Sequence, residues 1–337
     1  MKKVNLKDIA EYVGVSTALV SYVLNGQTAE KQVNKLTAER ITKAAEELNY
    51  QPNQIAKSLK TKKTHTIGLV VADINFRFST GITRSIEEEA KKNNYTVIYG
   101  SSNESAEKFA KLINVMINHR VDGLILVPTE GSENEIEILQ HSGIPFVLVD
   151  RHFPGIQCNY IALDNYQAAY NATSYLIDKG HSKIAFVNYR TTFFHLLERN
   201  RGYLDALKDR GVEFKKPWLQ LIDNADGKND VTACLNHIVE GVEPCDSVFF
   251  ATDTLTINGL KYLNKQKWNV PEKISVLSFD ESDAFDLFYT PITFSRQPLM
   301  EMGNLAVSNL IKLIDGDNQL RQISLQAKLV SGASCKE

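Results

Sequence analysis

The sequence predicts a small all-α headpiece followed by a two-lobed α/β core of doubly wound parallel sheets. Three observations carry that expectation. Residues 1–63 hold eleven Lys plus Arg against six Asp plus Glu, a net of +5, while the rest of the 337 residues hold 27 against 34, a net of −7. The first 50 residues contain helix-cap signals without a strand pattern. From Thr66 onward, apolar strand-like runs alternate with amphipathic stretches, and they do so twice over.

The headpiece elements follow from local chemistry. Asn5 can accept from the free amides of a helix starting at Leu6, Asp8 sits at its positive dipole end, and Gly14 supplies a left-handed stop. A tight turn leads into a second helix. Val20, Val23 and Leu24 share one face of it, leaving Thr17, Ala18, Ser21, Tyr22 and Asn25 on the other. Asn34 caps a third helix through LTAERITKAAEEL, and Pro52 in NYQP ends it. A basic segment on an acidic body suits a polyanion-binding module, although a solvated lysine face has the same charge.

The core begins with IGLVVADI and a helix near 79–93. YTVIYG, a helix at 104–119, DGLILVP, a helix at 133–141 and PFVLVD complete the first array. The second runs through YIALDN, a helix to Lys179, KIAFVNY, WLQLI, SVFFATD and ISVLSFD, with helices between them. TFSRQPLMEMGNLAVSNLIKLIDG and the alternating QISLQAKLVSG add a last helix and terminal strands. The expected boundaries are 1–50 for the headpiece, 51–63 for a hinge helix and linker, and 64–337 for the core. Within the core, the N-lobe is expected at about 64–161 plus 293–322 and the C-lobe at about 162–292 plus 323–337.

Several function classes are excluded. The longest apolar runs, such as 67–71 and 121–127, fall far short of the roughly 20 residues needed to span a bilayer. MKKVNLKDIAEY lacks the apolar stretch of a secretory signal, so a cytoplasmic location is expected. Cys158, Cys234, Cys245 and Cys335 are scattered, with neither disulfide-scaffold nor metal-ligand spacing. GxGxxG, GxxxxGK[ST] and GxSxG are all missing, so neither enzymatic turnover nor a cofactor or metal is expected.

NLKDIAEYVGVSTALVSYVLNG, followed by AEELNYQPNQIAKSLKTKKTHTIGLVVADI, closely resembles the N-terminus of the lactose-repressor/galactose-repressor (LacI/GalR) family of bacterial transcription regulators. The resemblance continues through DGLIL, IPFVLVDR, LIDKGHSKIAFV, RNRGYLDAL, ISVLSFD and TPITFSRQP before MGNLAV, and covers essentially the whole chain. It implies a helix-turn-helix headpiece, a hinge helix and a periplasmic-binding-protein-like core. It further implies a homodimer, a palindromic double-stranded DNA operator and a small-molecule effector, expected to be a sugar or sugar derivative.

Carried over position by position, the resemblance makes Thr17, Ala18 and Tyr22 base-reading residues and Ser16 and Ser21 phosphate contacts. Leu6 and Asn25 complete the headpiece set. Thr17 and Ala18 suit a thymine methyl, and Tyr22 offers one hydrogen bond with apolar contact. The loop NGQTAEKQV is longer than is common in the family. NQIAKSLK matches the family's hinge helix through Asn53, Ala56 and Leu59. Eight residues do not hold a helix alone in water, so this segment is expected to order on bent DNA, with Leu59 wedged into the minor groove. SGASCKE is too short for a coiled-coil seam, so dimers without tail-mediated tetramers are expected.

In open parallel sheets ligands bind beyond the carboxyl ends of the strands, which nominates Asp73, Ser101, Pro128, Asp150, Tyr189, Thr252 and Asp280. By resemblance, Arg199 and Asp280 occupy effector-binding positions. A guanidinium fork with an ionised carboxylate favours a polyhydroxylated ligand. Phe76 and His195 join Asp73, Asp150, Arg199, Thr252 and Asp280 as effector candidates. Phe76, Phe78, Phe193, Phe194 and Trp218 belong either to an apolar floor or to the core. Asp253 is expected to cap a helix, and Asp150 either pairs with Arg151 or meets ligand. DINFRFS is one residue shorter than the family's usual loop and lacks its proline.

Overall fold

A computed structural model describes residues 4–50, 63–223 and 228–336. The chain divides into a compact unit ending at Thr64 and a second beginning at His65. The hinge positions Asn53, Ala56 and Leu59 lie outside the described residues, as does Pro52.

The first unit contains α1 (Leu6–Val13), α2 (Thr17–Leu24) and α3 (Lys35–Glu47). Asn5 Oδ1 accepts from Lys7 N and Asp8 N, and Asp8 Oδ2 accepts from Asn5 N, a reciprocal capping box. Gly14, at φ 77°, stops α1 in the left-handed region, where a Cβ would be strained. Ser16 caps α2 by accepting from Leu19 N at 3.2 Å. Ile9, Val20 and Ile41 are fully buried between the three helices. The end of α3 differs from the expectation. The helix stops at Glu47, and Asn49, at φ 48°, turns the chain before Pro52 is reached. A short polar side chain tolerates that conformation, so the proline is not the stop.

Among the described residues the second unit contains two six-stranded sheets. The first is built from β1 (Thr66–Val71), β2 (Thr96–Ser101), β3 (Gly123–Leu126), β4 (Phe146–Val149), β5 (Tyr160–Leu163) and β11 (Gln322–Leu325), in the order β11-β5-β4-β3-β1-β2. The second uses β6 (Ile184–Tyr189), β7 (Leu219–Ile222), β8 (Ser247–Phe250), β9 (Ser275–Phe279), β10 (Thr293–Arg296) and β12 (Lys328–Val330), in the order β12-β10-β9-β8-β6-β7. All pairings are parallel except that of β12 with β10. Strands such as β3, β4, β8 and β9 are buried along their whole length, as expected of parallel sheets covered on both faces.

The covering helices are α4 (Arg77–Lys92), α5 (Ala106–Asn118), α6 (Glu133–Ser142), α7 (Asn165–Asp178), α8 (Phe194–Asp209), α9 (Lys228–Glu240), α10 (Asp253–Gln266) and α11 (Leu299–Ile314). α7 and α8 approach closely because α8 presents Gly202 there. A Cβ at Gly202 would lie 2.2 Å from the Tyr166 carbonyl oxygen. That contact matters for function because α8 also carries His195 and Arg199.

The lobe assignments differ from the sequence expectation in three places. YIALDN, expected to open the second array, forms β5 and pairs with β4 and β11 in the N-lobe sheet. Residues 293–296 pair with β9 in the C-lobe sheet, and α11 then packs on the N-lobe, so the chain crosses between lobes at Gln297 and Pro298. Residues 322–325 pair with β5 in the N-lobe sheet, and the crossing to β12 follows at Gln326 and Ala327. An apolar pattern does not specify which sheet a strand joins, because inter-strand bonds use backbone groups that every residue carries. Among the described residues no helix is long and apolar enough to cross a membrane.

Candidate functional site: an exposed helix face and an interlobe cleft

On α2, Thr17 and Ala18 are exposed, Ser21 and Tyr22 are half-buried, and Val20 and Val23 face the core. The expected recognition face is therefore the face left free by packing. Ser16 Oγ uses one acceptor lone pair on the cap, which leaves its hydroxyl proton for an outside acceptor such as a phosphate oxygen. Asn25 donates its amide to Ser21 O at 2.8 Å and to Ser21 Oγ at 3.2 Å, so it braces the end of α2. Leu6 packs half-buried against the headpiece core, giving it a structural task beside the expected contact. Lys31, from the long loop, places its ammonium 5.9 Å from the centre of the Tyr22 ring.

In the core, a cleft of about 300 Å³ opens between the lobes, beyond the carboxyl ends of the strands. It brings together Phe76, Asp150, His195, Arg199, Thr252 and Asp280. Asp73 stays out of it. Its carboxylate accepts from Asn75 N and Nδ2 at 2.9 Å and holds the shortened DINFRFS loop in an Asx turn. Phe78 and Phe193 line the cleft with Phe76. Trp218 is instead core: 3% exposed, with its indole N–H donating to Glu243 O. Phe194 lines a neighbouring cavity of about 360 Å³ with Glu133 and His152.

Arg199 organises the floor. At 2% exposure its guanidinium donates to Asn165 Oδ1 at 2.8 Å and to the Ala251 carbonyl at 2.6 Å, and it stacks 3.5 Å from the centre of the Phe279 ring. Desolvation lowers its pKa, opposed by Asp280 and Asp150. Asp280, at φ 67°, accepts from Gln297 Nε2 at 2.7 Å, and its pKa is raised by desolvation against the pull of Arg199. Asp150, at φ 68°, is pushed up to about 6 by burial, despite Arg151 and Arg199. Its Oδ1 has no hydrogen-bond partner, and neither does Oε1 of Gln297. Desolvation, with Arg151 and Arg199 nearby, drives the His195 pKa far down and keeps the imidazole neutral.

The cap expected of Asp253 falls to Thr252, which also lines the cleft. Thr252 caps α10, accepting from Leu255 N at 3.2 Å, while Asp253 borders the cleft with its pKa raised to about 6 by burial and the Asp280 charge. Arg151 forms a bidentate pair with Glu104 at 2.8 Å on both arms, and its Nε lies 3.7 Å from Asp150. The Arg151 pairing is therefore mainly with Glu104, a residue the sequence reading did not single out. Gln297 was also missed. It directly follows β10, and the strand-end rule would have nominated it had 293–296 been placed in the C-lobe sheet.

Side chains also tie the lobes across the cleft. Arg77 Nη1 and Nη2 meet Glu281 and Asp283 at 3.1 and 2.9 Å. Glu130 accepts from Thr192 N at 2.7 Å and from the Thr192 hydroxyl. Arg151 lies over Phe193, 4.3 Å from the ring centre.

Residues 5–53 match the family model described as "Bacterial regulatory proteins, lacI family", and residues 64–332 match "Periplasmic binding proteins and sugar binding domain of LacI family". An HTH-type transcriptional repressor PurR of Vibrio atlanticus is 30% identical over 98% of both chains. A ribose operon repressor of Haemophilus influenzae is 28% identical over 93% of both. Among solved structures, a lac repressor dimer bound to operator and the anti-inducer ONPF superposes with a TM-score of 0.87 at 21% identity, over the whole of both chains, a likeness of fold. A transcriptional regulator CelR–cellobiose complex is 26% identical with a TM-score of 0.72, covering 98% of this chain and 100% of that one. A capped helix with a free polar face, a doubly wound two-lobed core and these matches lead to one conclusion: the chain belongs to the LacI family of bacterial regulatory proteins, as a DNA-binding transcriptional repressor with a sugar-binding-type effector domain.

Proposed function

We propose that the protein represses transcription as a homodimer on a palindromic operator. In this reading Thr17, Ala18 and Tyr22 read base edges, Ser16 and Ser21 meet phosphates, and Asn53, Ala56 and Leu59 act as the hinge. A sugar-type effector, bound in the interlobe cleft by Arg199, Asp280 and Asp150, sets operator affinity. The observation that supports it best is the convergence of Arg199 and Asp280, from separate elements of the C-lobe, on a cleft whose buried acceptors lack partners. Carboxylates arranged in this way serve as acceptors for hydroxyl donors, so the cleft binds without turnover, and the protein acts in the cytoplasm with its DNA.

A ligand held between two lobes biases their relative disposition, and linkage then obliges operator and effector to change each other's affinity by the same factor. Fluorescence anisotropy with palindromic duplexes tests the reading. Affinity should fall with salt at a slope near −0.9 per phosphate neutralised. A protein that ignores duplex DNA at low salt, or a saturating cleft ligand that leaves operator affinity unchanged, would refute it.

A further inference from the structure

The charges around the cleft do not balance. Arg151 is held bidentately by Glu104, and Arg190 is held by Asp223, so those two pairs cancel. What remains is Asp150, Asp253 and Asp280, with Glu130 at the rim, against Arg199 alone. Two nitrogens of Arg199 already donate to Asn165 and Ala251, so the guanidinium is not presented as an open anion fork. At the rim Arg77 is likewise occupied by Glu281 and Asp283.

The unmet hydrogen-bonding capacity leans the same way. Asp150 and Gln297 are each 7% exposed and line the cleft, and two acceptors there, Asp150 Oδ1 and Gln297 Oε1, lack partners against one donor, Arg151 Nε, which already lies 3.7 Å from the Asp150 carboxylate. A buried acceptor without a donor is unfavourable, so the floor lacks donors and positive charge. A hydroxyl brings one donor, whereas an ammonium brings three donors, no acceptor and the missing charge. A phosphate ester brings acceptors and more negative charge.

We propose that the cleft takes a ligand with a cationic amine among its hydroxyls, an amino sugar or comparable amino polyol, and discriminates against phosphorylated sugars of the same skeleton. The inference rests on the sugar-type effector reading and narrows its chemistry. One feature of the site favours the opposite charge: the N-termini of α4 and α8 border the cleft, and their N-cap residues, Phe76 and Phe193, supply no side-chain cap. Phosphate esters would use those amides, which makes them the decisive competitor.

Calorimetry on the full-length protein should use matched sets: glucose, glucosamine and glucose 6-phosphate, with the galactose and mannose counterparts. Within at least one set the amino sugar is expected to bind about tenfold or more tightly than its hydroxyl parent, with no saturable heat from the phosphate ester. Asp150→Asn keeps the side chain's shape and tolerates a positive φ, and it should weaken binding of the amino sugar more than that of its hydroxyl parent, so that the amine preference shrinks. A phosphate ester that binds as tightly as its parent, or an amine preference unchanged in Asp150→Asn, overturns the proposal while leaving a sugar-type effector in place. Silence from every sugar overturns both.

Discussion

On α2, Thr17 and Ala18 stand exposed, and the helix that displays them is held by an ordinary Ser16 cap and an apolar face on Ile9 and Ile41. In the cleft, Arg199 is 2% exposed, Asp150 and Asp280 sit at positive φ, and Asp150 keeps its proton to about pH 6. A long, hydrated polyanion can be met by side chains that lose little by waiting in water. A ligand that fits about 300 Å³ must be met by groups already desolvated. At Thr17 and Ala18 the headpiece thus separates binding from stability, whereas the cleft couples them, and substitutions should divide accordingly.

The largest effect is expected from Arg199→Ala. It removes the donor that satisfies Asn165 and Ala251, takes from Asp280 its largest opposing charge and leaves Asp150 facing Arg151. Removing one partner of a buried charge cluster typically costs about 3–5 kcal/mol, so chemical denaturation of the core should shift by that order while effector binding is lost. A loss of effector affinity with unchanged core stability would break the coupling claimed for the cleft.

Asp150→Asn is expected to act in the opposite direction on ligand-free stability. The folded carboxyl keeps its proton to about pH 6 and the unfolded one releases near 3.8, so the stability this group contributes is full below pH 3.8 and gone above pH 6. At one pKa unit per 1.36 kcal/mol, the asparagine variant should be more stable at pH 7.5 by about 3 kcal/mol, with the advantage fading toward pH 4. Thermal melts at the two pH values check the sign. Equal melting at pH 7.5 would mean that Arg151 and Arg199 fully offset the burial of this charge.

Smaller effects belong to the headpiece. Ser16→Ala deletes the α2 cap and should cost about 1 kcal/mol of headpiece stability, read by hydrogen exchange at the amides of α2, along with some DNA affinity. Thr17→Ala should change stability by less than about 0.5 kcal/mol, because the side chain is exposed, and yet alter which base is preferred at one operator position. A stability loss at Thr17 as large as that at Ser16 would blur the contrast between the two regions.

Much of the headpiece was legible because its determinants are local. Asn5, Gly14 and Asn34 act on backbone groups within a few residues, and the 3.6-residue period sorts Val20 and Val23 from Thr17 and Ala18. In the core, the alternation of strands and helices and the strand-end rule located Asp150, Tyr189, Thr252 and Asp280 at the cleft for the same reason: chain direction through a parallel sheet sends each strand's carboxyl end to one side. Family resemblance, rather than pattern, pointed to Arg199.

What required the folded chain was every pairing between distant segments. The Glu104 bond to Arg151 joins residues 47 apart, and the Gln297 bond to Asp280 depends on β10 joining the C-lobe sheet before the chain crosses to α11. Asp73 and Asp253 look alike in sequence as carboxylates near strand ends. One closes an Asx turn on Asn75, and the other is desolvated beside Asp280 and borders the cleft. Local propensity and periodicity are properties of neighbouring residues, whereas desolvation and charge pairing depend on which surfaces meet in space, and those surfaces exist only once both sheets and their crossings have formed.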